Sequence, residues 1–209
     1  MYLVKSPFVL RWFLSKDLIW KIPVTDKIIF LTFDDGPVPE TTPDILSILA
    51  RFQIKATFFC VGENVKKHPA EFENVFKAGH VIGCHTFNHL KGWDFPTDTY
   101  VENVKMCGKY FQTPFFRPPY GRIKTSQIRQ LRNDYHIVMW SVLTGDFDRN
   151  TPPERCLENA VKYTRPGSIV VFHDNIKARE NFQYALPRFI EHFLALDYRF
   201  ETLREELFN

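Results

Sequence analysis

The 209 residues are 44% hydrophobic and 16% aromatic, which supplies apolar material for one sizeable core and falls short of two. A formal net charge of +3, with acidic and basic residues interspersed and no long basic run, excludes an electrostatic case for nucleic acid as partner. Nothing in the composition points to a protein partner.

The chain opens on residues 1–27, an N-terminal segment rich in Phe8, Trp12, Phe13, Leu14, Leu18, Ile19 and Trp20. Lys5, Arg11, Lys16, Asp17 and Lys21 interrupt every apolar run, so none is long enough for a signal-peptide core or a membrane span. The expectation is that 1–27 packs onto the domain formed by 28–209, in a cytoplasmic protein. Peripheral contact with the inner membrane surface through residues 1–22 is the alternative.

Ile28 to Phe33 reads as a first strand, followed by a helix opened by Thr42 and Pro43. Ala56 to Val61 is a second strand, and Pro69 to Ala78 a helix that stops at Gly79, the residue best suited to a left-handed cap. His80 to Cys84 is a third strand, and Thr97 the cap of a helix through Phe111. Pro114 to Phe116, Ile137 to Trp140 and Ser168 to Phe172 continue the strands, alternating with helices over 125–132, 152–163 and 182–196, and Tyr198 to Thr202 closes the chain. Such alternation predicts an α/β fold with a parallel sheet, closed as a barrel or open and doubly wound. Four cysteines (Cys60, Cys84, Cys107, Cys156) form no Cys-x-x-Cys pair, which leaves them as free thiols.

Polar residues sit where the apolar strands end: Asp34 and Asp35, His85 and His89, Arg117, Asp146, then His173 and Asp174. In parallel βα folds these ends converge on one face. Adjacent carboxylates leaving a strand point in different directions, so one of Asp34 and Asp35 can bind a cation while the other faces water; Asp before Gly36 is equally ordinary turn chemistry. Two imidazoles four residues apart lie on one face of a helical turn, and with one Asp they make a three-ligand set that keeps a catalytic metal open. His173 suits proton transfer because its unperturbed pKa lies near neutrality. Asp174 reads better as a cap on the segment that follows.

Thr-Phe-Asp34-Asp35-Gly, His85-x-x-x-His89, Arg117-Pro-Pro-Tyr120-Gly121, Trp140 with Asp146, and Val-Phe-His173-Asp174 occur in order over about residues 28 to 203. Together they resemble the polysaccharide deacetylase family, also called the NodB homology domain or carbohydrate esterase family 4. The resemblance implies a distorted (β/α) barrel of about seven parallel strands. It further implies a hydrolase that removes N-acetyl groups from peptidoglycan, chitin-like oligosaccharides or related glycans, using one divalent ion held by Asp35, His85 and His89. Zinc is the ion expected, with cobalt, manganese or nickel as substitutes. By the same carry-over Asp34 is the general base, paired with Arg117. His173 is the acid, oriented by Asp146. The Tyr120 backbone N–H helps bind the oxyanion, and Trp140, Val171, Pro118 and Phe147 shape the substrate site.

The fourth motif departs from the usual Asp-Trp pair, reading Gly145-Asp146-Phe147-Asp148, so Asp148 rivals Asp146 for the orienting role. Val171 and Phe172 replace frequent leucines, which reshapes the acetate pocket. Two other readings compete: a related barrel that hydrolyses a non-sugar amide such as a cyclic imide or ureide, and a carbohydrate-binding barrel without catalysis.

Overall fold

A computed structural model describes residues 16–208. β2 (Ile28–Asp34) is buried along its whole length, as its unbroken apolar run requires of a strand covered on both faces. It pairs in parallel with β3 (Thr57–Cys60) on one side and β8 (Ser168–His173) on the other. From β3 the parallel ladder continues through β4 (Val81–Cys84), β5 (Phe115–Phe116) and β6 (His136–Val138), while β7 (Val142–Leu143) pairs with β8. Because β6 and β7 are two halves of one bent run, the ring of pairings closes on itself. Six strands make that ring, and β1 (Leu18–Ile19) adds a seventh beside β6, reaching β8 through an antiparallel bridge from Lys21 to Ser168. The fold is therefore the distorted (β/α) barrel rather than the open sheet. β9 (Arg199–Glu201) pairs with the first half of β2.

Alternation along β2 and β8 separates two environments. Ile29, Leu31 and Phe33 join Val170 and Phe172 in a core against α1 (Thr42–Arg51), α6 (Pro153–Tyr163) and α7 (Arg179–Leu194). Ile28, Phe30 and Ile169 pack inside the ring with Phe59, Phe115 and Val138. Asp34 and His173 continue the inward-facing sets, which is what delivers both to the open end of the barrel. A third cluster lies beneath α4 (Thr97–Lys105) and α5 (Thr125–Leu131).

Several expectations are corrected in detail. Pro96, not Thr97, occupies the N-cap of α4; the helix ends at Lys105 and tightens into a 3₁₀ turn over Met106–Lys109. The Thr97 hydroxyl instead meets Ser126 Oγ at 2.6 Å. Gly62–Lys67 forms a short helix, α2, that the strand-helix alternation did not require, ahead of α3 (Pro69–Lys77). Gly79 does take the left-handed conformation, at φ 76°.

Leu18 and Ile22 are buried in the barrel wall. Residues 1–15, with Phe8, Trp12, Phe13 and Leu14, lie outside the described residues, and with them most of the segment considered for membrane contact. Among the described residues no helix is long and apolar enough to cross a membrane.

Candidate active site

Asp34 ends β2 and is almost wholly buried beside Arg117, whose side chain has no exposed surface. Arg117 Nη1 donates to Asp34 Oδ1 at 2.6 Å and to Thr32 Oγ1 at 2.8 Å, Nε to the Val138 carbonyl and Nη2 to the Met139 carbonyl. The guanidinium also lies over the Phe59 ring, 4.0 Å from its centroid. Three of these four hydrogen bonds fix the guanidinium in the barrel wall and the fourth fixes Asp34 Oδ1, which leaves the second Asp34 oxygen for chemistry.

Asp35 turns away from Asp34 by adopting a left-handed backbone, φ 81°. Its Oδ1 lies 3.0 Å from His89 Nε2 and 3.6 Å from His85 Nε2. One donor atom from each of Asp35, His85 and His89 lies within 4.8 Å of the others. The histidines do not share a helical turn, as their spacing suggested. They meet across a loop after β4 in which Thr86 and His89 are both left-handed, φ 61° and 55°. The Asn103 side chain holds that loop, its Oδ1 accepting from Phe87 N and Asn88 N. Of the six described non-glycine residues at positive φ, Asp35, Thr86, His89 and Tyr120 belong to this site, so backbone strain is concentrated where ligands must converge.

The donor chemistry fits a divalent ion. His85 Nδ1–H donates to the Arg117 carbonyl at 2.8 Å, which leaves its Nε2 lone pair free to ligate, while His89 Nδ1 faces the Tyr120 hydroxyl at 3.2 Å and its Nε2 lies 3.0 Å from Asp35 Oδ1. Burial pushes the His85 pKa down to about 4, so the ring is neutral and able to ligate. Burial works to raise the Asp35 pKa, but the His89 hydrogen bond and the field of His173 outweigh it and hold the carboxyl ionised.

On the opposite side, His173 at the end of β8 is oriented by Asp146. The imidazole Nδ1–H donates to Asp146 Oδ1 at 2.8 Å, and the His173 backbone N–H to Oδ2 at 2.7 Å. Asp148 caps its own turn, accepting from Asn150, and does not meet His173. Burial by itself disfavours the imidazolium, but Asp146, then Asp35 and Asp34, raise the His173 pKa from 6.5 to about 9. The Phe147 ring stands edge-on to His173 at 4.7 Å.

The remaining sequence candidates gather around these groups. Val171 is fully buried two residues before His173 on the same strand face, and Pro118 is buried beside Arg117. Trp140 lies against Gly121, where an added Cβ would come within 2.7 Å of the indole, and its ring meets Trp20 edge-on at 6.5 Å. Tyr120 is 60% exposed and left-handed, φ 59°. Its side-chain contact with His89 had no signal in the sequence.

Two neighbours of His173 were also missed or misread. Asp174 does not cap the following segment; it is buried and accepts from the Thr41 and Thr42 hydroxyls at 2.7 and 2.6 Å. Burial, against those donors, pushes its pKa up to about 7. The cap is Asn175, whose Oδ1 accepts from Ala178 N at 3.0 Å while its Nδ2 donates to Asp35 Oδ2 at 2.6 Å. An Asn after a His-Asp pair carries no pattern that announces this bond.

Residues 21–140 match the sequence profile of the polysaccharide deacetylase family. A Bacillus cereus peptidoglycan-N-acetylglucosamine deacetylase is 35% identical over 196 residues, covering 90% of this chain and 92% of its own. A chitooligosaccharide deacetylase of Azorhizobium caulinodans is 33% identical, covering 74% of this chain and 77% of its own. The crystal structure of the Bc1960 peptidoglycan N-acetylglucosamine deacetylase superposes with a TM-score of 0.84 at 30% identity, over 95% of each chain. On sequence, fold and site geometry together, this chain belongs to the polysaccharide deacetylase family.

Proposed function

We propose that this chain removes the acetyl group from N-acetylglucosamine residues of a peptidoglycan-type glycan. At the level of chemistry it is a metal-dependent hydrolase of N-acetylated carbohydrate. The observation that carries the reading is the placement of a complete Asp35–His85–His89 donor set between a buried Asp34–Arg117 pair and a His173–Asp146 pair whose carboxylate is buried and whose imidazole is partly exposed. Peptidoglycan is preferred to chitin-like oligomers because the relative that covers nine-tenths of the chain carries that substrate in its name.

Amide hydrolysis needs an activated water, stabilisation of a tetrahedral oxyanion and a proton for a poor leaving group. Asp35, His85 and His89 would hold a divalent ion, zinc being the best match to one carboxylate and two imidazoles, and it would supply polarisation of the carbonyl and a more acidic water. Asp34, its Oδ1 fixed by Arg117, takes the proton of the attacking water through its other oxygen. His173, with Nδ1–H committed to Asp146, presents Nε2 to the leaving nitrogen and protonates it. The backbone N–H of Tyr120 adds a donor to the oxyanion, a contribution of about 3 kcal/mol to the barrier in comparable sites. Trp140 and Val171 exclude water around the acetyl methyl, with Pro118 and Phe147 bordering the sugar.

The test is acetate release from peptidoglycan fragments, chitooligosaccharides and a non-sugar amide, with and without chelator. Chelator-sensitive release that is fastest from the peptidoglycan fragments is the expected result. Release from the non-sugar amide alone would overturn the sugar assignment.

A further inference from the structure

Asp35 divides its two carboxylate oxygens between separate tasks. Oδ1 faces His85 Nε2 and His89 Nε2, and Oδ2 is taken by Asn175 Nδ2 at 2.6 Å. The orientation of the Asn175 amide is settled by its other contact, because the Ala178 backbone N–H can only donate, so the amide oxygen must face Ala178 and the NH₂ must face Asp35. We propose that Asn175 is a positioning residue for the metal ligand Asp35, holding it as a single-oxygen donor and thereby setting the affinity of the site for zinc. This rests on the reading of Asp35, His85 and His89 as the metal site.

Three features make Asn175 suited to that task. It is neutral, so it fixes Asp35 without cancelling the negative charge that attracts the ion, as a Lys or Arg in the same place would. It is itself fixed by the cap at Ala178, so its hydrogen bond is preorganised. It lies two residues beyond His173, so the strand that delivers the acid also delivers the brace on the metal ligand. The Asp35 backbone is held at the same time, its carbonyl accepting from Asn64 Nδ2 at 2.8 Å and the next carbonyl, that of Gly36, from Val61 N at 2.9 Å. Residues that orient metal ligands in this way typically contribute about 10- to 100-fold in metal affinity.

The experiment titrates zinc alone into the metal-free full chain by competition with a chromophoric chelator, for the wild type and for Asn175→Ala, Asn175→Ser and Asp35→Ala. Serine keeps an oxygen for the Ala178 cap and lacks the amide that reaches Asp35, which separates the two roles of Asn175. Weakening of zinc binding by roughly 10- to 100-fold in both Asn175 variants is the expected result, with the zinc-free melting temperature at the wild-type value in Asn175→Ser and lowered in Asn175→Ala by loss of the cap. The zinc concentration that half-saturates acetate release should rise by the same factor. Wild-type affinity in Asn175→Ser, whatever Asn175→Ala does, would overturn the proposal. Stoichiometric wild-type binding that disappears in Asp35→Ala would leave the metal site standing in that event, whereas a wild type that binds no zinc would overturn both.

Discussion

Asp34 and His173 are register partners: in the parallel pairing of β2 with β8, Asp34 lies opposite His173 and Thr32 opposite Val171. Neighbouring strands stand about 4.8 Å apart, so the base and the acid are spaced by the backbone ladder itself and leave the barrel at one height. No side-chain contact between them is needed to set that distance. The ladder is supported from below by Thr32 Oγ1, which donates to the Val170 carbonyl at 2.8 Å while accepting from Arg117.

This division of labour predicts that Asp34→Asn removes turnover and leaves metal binding intact. Asn keeps an oxygen for Arg117 Nη1 and loses the basic oxygen, so acetate release should fall by about 10²- to 10⁴-fold, the usual worth of a positioned base. Zinc affinity should stay within a few-fold of wild type, because Asp35, His85 and His89 are untouched. A barrel that only binds carbohydrate would show no such loss. Initial rates beside a zinc titration decide the matter, and a variant as fast as the parent would remove Asp34 from the mechanism.

Arg117→Met tests whether the same pair also holds the fold. The substitution leaves the Asp34 carboxylate buried without its donor and withdraws hydrogen bonds from Thr32 Oγ1 and from the Val138 and Met139 carbonyls. Breaking one partner of a buried ion pair typically costs about 3–5 kcal/mol. Replacing both charges, as in Arg117→Met with Asp34→Leu, removes the uncompensated carboxylate and should be less destabilising than the sum of the two single changes. Urea denaturation of the four proteins measures this coupling, and strict additivity would show that the two residues do not act as a pair.

How much of this was legible in the sequence depended on how local each signal is. The strands that build the ring, β2 and β8 above all, were readable because burial on both faces demands unbroken apolar runs. β1 and β7 span two residues each, and their place follows from closure of the ring, which no local pattern encodes. Spacing made His85, His89 and one of the adjacent Asp34 and Asp35 readable as a ligand set, and only the family resemblance singled out Asp35. The means of bringing the set together was not readable, since left-handed Thr86 and His89 replace the helical turn that the four-residue interval suggested. The choice between Asp146 and Asp148 required the geometry of one turn, where Asp148 closes on Asn150 and Asp146 points inward. Asn175 was invisible for the opposite reason: its partner is 140 positions away and its side chain belongs to no recognised pattern.

The His173–Asp146 pair predicts the alkaline limb of the pH profile. His173 must carry its proton to serve as acid, and the fields of Asp146, Asp35 and Asp34 overcome burial to place its pKa at about 9. Turnover therefore falls as pH rises through that pKa. With an ion on Asp35, one of those negative fields is offset, so the limb of the metal-loaded enzyme lies below 9. Asp146→Asn removes the largest of the raising influences and should move the limb to still lower pH while lowering the rate near neutrality. Stability follows the same linkage. A folded pKa above the ordinary 6.5 adds stability that is fully present below 6.5 and is lost as pH rises through about 9. In the metal-free proteins, the stability difference between wild type and Asp146→Asn should accordingly be larger at pH near 6 than at pH near 10. Rate profiles and urea midpoints taken across that range test both halves, and an alkaline limb that stays in place in Asp146→Asn would show that some other group sets it.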